Sequence, residues 1–169
     1  MVTGSIQREI VIAAPRERVW EVLTQAEFLG AWFGADGPAE IDLRPGGRMS
    51  LGHGAHAHGG PPARIETVER PGRFSFRWSR RTAETEPAGG GETLVEFTLT
   101  REPGDHTRLR MTESGLTAPV ATPPGATRTR LTRNGTGWTW KLTELACHTE
   151  RLAARRPAGG GERRTDDGF

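Results

Sequence analysis

The chain has 169 residues and a mass of 18.4 kDa, which suits one domain with a sizeable core. Its 23 Lys and Arg nearly balance its 21 Asp and Glu, and this balance argues against a nucleic-acid-binding surface. No segment approaches the roughly 20 apolar residues that span a bilayer, and the single cysteine, Cys147, excludes a disulfide within the chain. We therefore expect a cytoplasmic domain without a membrane span.

The N-terminal part of the sequence predicts a strand followed by two short helices. Residues 5–13 end in a run of β-branched side chains, which favours a strand. Pro15 then suits the first turn of a helix whose apolar face includes Val19 and Trp20. A second short helix is predicted over residues 26–33. We expect the two helices to cover one end of a sheet.

From residue 40 onward the apolar side chains recur with a period of two, which predicts strands. Ile41 with Leu43 and Met49 with Leu51 flank a Pro-Gly-Gly turn and predict a hairpin. A strand carrying Ile65 and Val68 follows, and three later strands show the same alternation, in Phe74, Phe76 and Trp78; Val95, Phe97 and Leu99; and Leu109 and Met111. Because only one face of these strands is apolar, we expect an antiparallel sheet with helices on a single side.

A long C-terminal helix is predicted over residues 127–155. Its apolar residues recur at near-heptad spacing: Leu131, Trp138, Leu142, Leu145 and Leu152. At 1.5 Å per residue the helix would reach roughly 40 Å, enough to cross the face of a sheet. After Pro157 the Gly-rich, charged composition predicts a disordered tail. The expected domain therefore spans residues 5–156, and the tail spans residues 157–169.

Gly135 and Gly137 interrupt this helix just before Trp138, and each costs about 1 kcal/mol relative to alanine in a helix interior. The helix could pass close to a strand or kink there. The missing side chains could instead leave space for a ligand between helix and sheet. A third explanation is that the regular helix starts only at Asn134, a suitable N-cap. The sequence leaves the three explanations open.

Tryptophan is prominent, with five residues in a chain that has no tyrosine. Trp20, Trp32, Trp78 and Trp138 lie on predicted inner faces. Each has a large apolar ring and an indole N–H that needs an acceptor. These tryptophans either fill a core or wall a pocket for an apolar or aromatic ligand.

The sequence offers few candidates for a metal site or a catalytic site. His53, His56 and His58 lie within six residues, but no acidic or thiol ligand accompanies them, so we interpret the segment as a flexible loop and predict no metal or cofactor. Cys147 and His148 are adjacent on a predicted helix and do not face each other. Nucleophile elbows, phosphate loops and convincing acid–base pairs are not found in the sequence. The protein is therefore not expected to be an enzyme.

Several short motifs occur in an order typical of a known family. They are Pro15 with Val19, Trp20, Leu23 and Thr24; Trp32–Phe33–Gly34; Leu43–Arg44–Pro45–Gly46–Gly47–Arg48; Phe74–Ser75–Phe76–Arg77–Trp78; Ser114–Gly115–Leu116; and Gly137–Trp138 with Leu142 and Leu145. Over roughly residues 5–153 the chain resembles the activator of heat-shock protein 90 ATPase homologue-like family. The resemblance implies the α+β helix-grip fold of the START-like (SRPBCC) superfamily, with a curved antiparallel sheet of about six or seven strands around a long C-terminal helix.

Members of this superfamily hold hydrophobic ligands, including lipids, between sheet and long helix. The resemblance therefore implies non-catalytic binding of a small hydrophobic or amphipathic molecule. The expected wall consists of Trp32, Met49, Phe76, Trp78, Phe97, Met111 and Trp138. One alternative is a chaperone-associated module that stimulates a heat-shock protein 90-type ATPase through its surface. Another is a cyclase or aromatase-like enzyme. A monomer and a homodimer are both compatible with the sequence.

Overall fold

The structure is a computed structural model that describes residues 3–33, 39–51, 63–79, 92–117 and 126–155. The elements in chain order are β1 (Thr3–Ile12), α1 (Arg16–Thr24), α2 (Ala26–Phe33), β2 (Ala39–Ile41), β3 (Arg48–Leu51), β4 (Ala63–Glu69), β5 (Arg73–Ser79), β6 (Glu92–Glu102), β7 (His106–Thr117) and α3 (Ala126–Ala154). Three predictions lie outside the described residues: the loop with His53, His56 and His58, most of the loop 81–92, and the tail 157–169. No described helix is long and apolar enough to cross a membrane.

The strands form one curved, fully antiparallel sheet in the order β1-β7-β6-β5-β4-β3-β2. The first strand therefore pairs with the last, and β1 and β2 are the two edges. All three helices lie on the apolar face. This arrangement confirms the predicted helix-grip fold.

Hydrogen bonds fix α1 and α2 at one end of the sheet. The carbonyl of Pro15, which precedes α1, accepts hydrogen bonds from the backbone N–H groups of the first helical turn. The indole of Trp32 in α2 donates to the carbonyl of Val22 in α1 over 3.0 Å. The hydroxyl of Thr107 at the start of β7 donates to the carbonyl of Ala14. Both helices are thereby attached to each other and to the sheet.

The long helix α3 covers the concave face and also packs beside the edge strand β1. Trp138, Leu142 and Leu145 are buried in the core, as the spacing predicted. On the β1 side, Glu150 accepts a 3.0 Å hydrogen bond from the backbone N–H of Ala13. The helix begins at Ala126, so the explanation that the regular helix starts only at Asn134 is wrong.

The predicted hairpin is present, but its first strand is shorter than the alternation suggested. β2 ends at Ile41, and Leu43 lies in the turn with 37% of its side chain exposed. The chain bends there, and the backbone N–H of Arg44 donates a hydrogen bond to the carbonyl oxygen of Asp42. Gly47 makes this turn possible, since a Cβ at that position would lie only 2.0 Å from the same carbonyl oxygen.

Candidate functional site

The seven residues of the expected wall lie on six different elements, and the structure brings them into one core cluster. Six of them are buried, and Trp78 is partly buried at the margin. The ring contacts run from Phe76 to Trp78 at 5.7 Å, from Trp78 to Trp138 at 5.9 Å and from Phe97 to Trp138 at 6.0 Å between centroids. Met111 is the cross-strand partner of Phe97. We call this set, together with Phe33, the aromatic cluster.

Phe33 belongs to the cluster although the expected wall omitted it. Its ring centroid is 5.5 Å from that of Trp78 and 5.9 Å from that of Trp138, both in edge-to-face geometry. The sequence placed Phe33 on the last turn of α2. The end of α2 packs against α3. Sequence periodicity cannot predict this contact, because it depends on the tertiary structure. With Phe33, the cluster joins α2, α3 and the strands between them.

A carboxylate lies inside this apolar region. Glu113 in β7 is 0% exposed. Its Oε1 accepts hydrogen bonds from the Thr93 hydroxyl at 2.8 Å and from the Trp78 indole at 3.2 Å. Its Oε2 accepts a 2.7 Å hydrogen bond from the Trp138 indole. One side chain thus joins three adjacent strands and the long helix.

Strand register explains how these groups meet. Trp78 in β5 is directly opposite Thr93 in β6, and Glu113 in β7 is opposite Val95, two residues farther along β6. All four side chains therefore share the inner face of the sheet. Gly115 follows with a φ of 84° and has no partner in the pairing of β7 with β1, which makes it a bulge residue. Bulges of this kind often lie beside functional sites, where they redirect the chain.

Glu113 was missed in the sequence, yet a signal for it was present. Leu109 and Met111 establish the inward positions of β7, and residue 113 is the next one in that alternation. A carboxylate at an inward position of a strand needs hydrogen-bond donors. Two of its donors are tryptophans that were predicted to face inward and to need acceptors. The partners could not be paired, because strand order was not known.

Gly137 lies one residue before Trp138 on α3. Among the described residues, no heavy atom lies within 4 Å of the position that a Cβ on Gly137 would take. The close-approach explanation for this glycine is therefore not supported by the described neighbours. A side chain one turn away, Lys141, places its Nζ 5.4 Å from the ring centroid of Phe33 and 5.9 Å from that of Trp138. The cluster thus has a cation at its margin.

The outer face of the sheet differs sharply from the inner one, because it carries exposed ion pairs across the strands. Arg108 and Arg110 of β7 both contact Glu9 of β1, and their hydrogen bonds hold the pKa of the Glu9 carboxyl below its usual range. Hydrogen bonds to Glu102 and Glu9 raise the pKa of Arg108. Exposed pairs of this kind contribute little to stability. The outer face is therefore a solvated, charge-balanced surface.

Two other kinds of site can be compared with the aromatic cluster: a surface depression and a metal centre. A depression of about 640 Å³ lies on the β2–β3 hairpin, and none of the seven expected wall residues lines it; its lining is Glu40, Ile41, Asp42, Arg44, Gly46, Gly47, Arg48 and Ser50. Within the described part of the chain, no group of three His, Cys, Asp or Glu side chains is positioned to hold a metal ion. The aromatic cluster with Glu113 is therefore the candidate site.

Comparison with solved structures supports the fold assignment. Protein MLL2253 from Mesorhizobium loti is 26% identical, with a TM-score of 0.69 over 88% of this chain and 98% of that one. An HSP90 activator from Plasmodium falciparum is 20% identical, with a TM-score of 0.60 over 88% and 94%. The Aha1 dimer from Colwellia psychrerythraea is 19% identical, with a TM-score of 0.66 over 87% and 96%.

A search of curated proteins gives no match. The family model described as Activator of Hsp90 ATPase homolog 1-like protein matches residues 13–150, which include every described element except β1 and the last residues of α3. The chain therefore belongs to the family of Activator of Hsp90 ATPase homolog 1-like proteins.

Proposed function

We propose that the chain binds a small hydrophobic or amphipathic molecule between the sheet and α3, without catalysing a reaction on it. The observation that carries this proposal is the aromatic cluster next to Gly137, where a Cβ would meet no heavy atom of the described residues within 4 Å. Trp138 contacts three other rings, and the helix residue next to it has no side chain. A flat apolar ligand that entered here would meet ring faces on several sides.

The arrangement of burial favours entry at this margin rather than at the cluster's centre. Phe76 and Phe97 are fully buried, whereas Trp78 is partly exposed and Gly137 is not fully covered. A ligand would therefore displace or rotate Trp78 before it disturbed the inner rings. Of the seven wall residues, Trp78 and Trp138 are expected to contact the ligand first. Trp32, Met49 and Met111 would form the floor.

A solid core is the competing interpretation, in which the same rings only fill the interior. The two differ in how the protein responds to added volume. If a pocket exists, Gly137→Leu occupies it, so ligand binding is lost while the fold is kept. In a solid core, a leucine forced among the rings strains the packing and costs about 1–3 kcal/mol, with no ligand response to lose.

The test is a titration of intrinsic tryptophan fluorescence with a panel of flat apolar compounds, together with native mass spectrometry of protein purified from its own host. We expect a saturable change in emission for wild type and a weaker one for Gly137→Leu. Thr143→Leu is the matched control, because it adds volume to the exposed side of the same helix. The absence of saturable binding across the panel, with strong destabilisation by Gly137→Leu, would refute the pocket.

A second candidate function is stimulation of a heat-shock protein 90-type ATPase. It is favoured by the family description and by the Plasmodium falciparum relative, which is described as an HSP90 activator. The charge-balanced outer face is the surface available for such a partner. The measurement is the ATPase rate of the chaperone from the same source, with and without this chain. Stimulation that survives Gly137→Leu but not charge reversal at Arg73 and Arg110 would support this function over ligand binding.

A further inference from the structure

We propose that Glu113 is the polar recognition group of the ligand site, so that the preferred ligand has a flat apolar body with a hydrogen-bond donor, a hydroxyl or an amine, at one end. This inference rests on the proposed ligand-binding function and specifies its ligand class. It is carried by the position of Glu113, a buried carboxylate beside the aromatic cluster whose oxygens accept hydrogen bonds from Trp78, Thr93 and Trp138.

Stability alone is a poor reason for a carboxylate at this position. Residue 113 continues the inward series of Leu109 and Met111, where another apolar side chain would pack. Burying a carboxylate costs free energy that hydrogen bonds only offset, and apolar replacements of buried charged groups are often neutral or stabilising. The two tryptophan indoles do gain an acceptor, but phenylalanine at either position would need none. The hydrogen bonds of Glu113 with the two indoles are therefore better explained by recognition of a ligand than by stabilisation of the fold.

The hydrogen-bond pattern defines what the ligand must supply. Indole nitrogens only donate, so Oε1 of Glu113 acts as an acceptor towards Trp78 and Oε2 acts as an acceptor towards Trp138. A ligand that replaces one of these partners must also present a donor. An ether, ketone or carboxylate oxygen at the same place would face an acceptor and be rejected. Rejection of this kind is typically strong, because the site's buried polar groups then lack partners.

Trp78 is the partner that the ligand is expected to replace. Its hydrogen bond to Glu113, at 3.2 Å, is longer than those from Thr93 and Trp138, and Trp78 is only partly buried. Thr93 and Trp138 are buried and bond at 2.8 Å and 2.7 Å. They hold the carboxylate in place while Trp78 moves. The rings of Trp138 and Phe33 then contact the ligand's apolar body.

The experiment compares three naphthalene derivatives that differ in one group: 2-naphthylmethanol, 2-(aminomethyl)naphthalene and 2-(methoxymethyl)naphthalene. Affinities are measured by titration calorimetry. For wild type we expect the better of the two donor compounds to bind at least about tenfold more tightly than the methyl ether, the ratio typical of one hydrogen bond to a charged group. The alcohol and the amine show which donor is preferred.

Variants assign the preference to Glu113. In Glu113→Gln the ratio should fall to about one, because the amide offers a donor as well as an acceptor. Glu96→Gln on the outer face is the matched control and should keep the ratio. Trp78→Phe keeps a ring but removes the competing N–H, so its ratio should be at least that of wild type. Wild type and Trp78→Phe both retain Glu113. Their affinity ratios therefore test the inference even if Glu113→Gln does not fold.

The outcomes separate the two proposals. If wild type binds the compounds with a ratio below about two, or if Glu113→Gln keeps the full ratio, Glu113 does not recognise the ligand and the inference is overturned. Ligand binding itself would then stand. If neither these compounds nor the wider apolar panel binds, the proposed function fails and this inference fails with it.

Discussion

The indole nitrogen of Trp138 lies 2.7 Å from Oε2 of Glu113, so α3 is joined to β7 by a hydrogen bond between buried side chains. The other oxygen of the same carboxylate accepts from Trp78 and Thr93. A single side chain therefore determines how two tryptophans are oriented. Stability and the shape of the candidate site are coupled through Glu113.

The first prediction is that Glu113→Gln lowers the free energy of unfolding by about 1–3 kcal/mol, the typical cost of leaving a buried donor without its acceptor. A glutamine has one acceptor oxygen, whereas the two indoles are bound by different carboxylate oxygens. Urea denaturation measures the change. Glu96→Gln removes an exposed pair with Arg73 and should cost less than about 1 kcal/mol. Equal losses in the two variants would contradict the role given to Glu113.

Much of the fold could be predicted from the sequence, because periodicity directly reports which side chains face inward. The bounds of α2 are those expected, and β5 carries Phe74, Phe76 and Trp78 as the alternation indicated. Leu43 shows where this reasoning fails. An apolar residue with the right spacing was assigned to a strand, but the close approach of Gly47 to the carbonyl of Asp42 ends the strand at Ile41.

The site could be predicted only in part. The wall residues within one strand, such as Phe76 and Trp78, share a face, and sharing a face follows from period alone. That Trp78, Thr93 and Glu113 lie next to one another depends on the order β5-β6-β7 and on register, which involve residues up to 35 positions apart. Hydrophobic patterning also treats glutamate as a surface residue. For both reasons, Glu113 was missed.

The second prediction compares neighbouring tryptophans on α3. Trp138 is 1% exposed and Trp140 is 51% exposed. Trp138→Ala should cost about 3–5 kcal/mol of unfolding free energy, since it removes a ring from the core and the donor to Glu113. Trp140→Ala should change it by less than about 0.5 kcal/mol.

Thermal or urea denaturation tests both variants. Acrylamide quenching gives an independent check, because Trp140→Ala should remove the most quenchable part of the emission. Comparable stability losses in the two variants would show that the burial of this helix face is different from that described.

The third prediction concerns acid and the outer face. Hydrogen bonds from Arg108 and Arg110 depress the pKa of Glu9 in the folded state. A depressed folded-state pKa means that the contribution of Glu9 to stability is present above its unfolded-state pKa. That contribution is lost as the pH falls through the lower folded-state pKa.

Carboxyl NMR titration of Glu9 should therefore give a midpoint below that of an unfolded peptide. In the double variant Arg108→Gln and Arg110→Gln, the midpoint should move up towards the peptide value. A Glu9 midpoint that does not respond to the double variant would mean that these ion pairs do not persist in solution.

The last prediction uses two glycines whose surroundings are opposite. Gly137→Ala should raise the unfolding free energy by up to about 1 kcal/mol, because alanine favours the helix and, among the described residues, the new Cβ meets no heavy atom within 4 Å. Gly47→Ala should be strongly destabilising, since its Cβ would lie 2.0 Å from the carbonyl oxygen of Asp42. Denaturation of both variants measures these effects.

The same glycine connects stability with ligand binding. If the space beside residue 137 belongs to the ligand site, Gly137→Ala should be more stable than wild type yet bind the apolar panel more weakly. Gly137→Leu should weaken binding further. A stabilised Gly137→Ala with unchanged ligand affinity would place the ligand elsewhere, whereas a destabilised one would show that the helix is closely packed at this position.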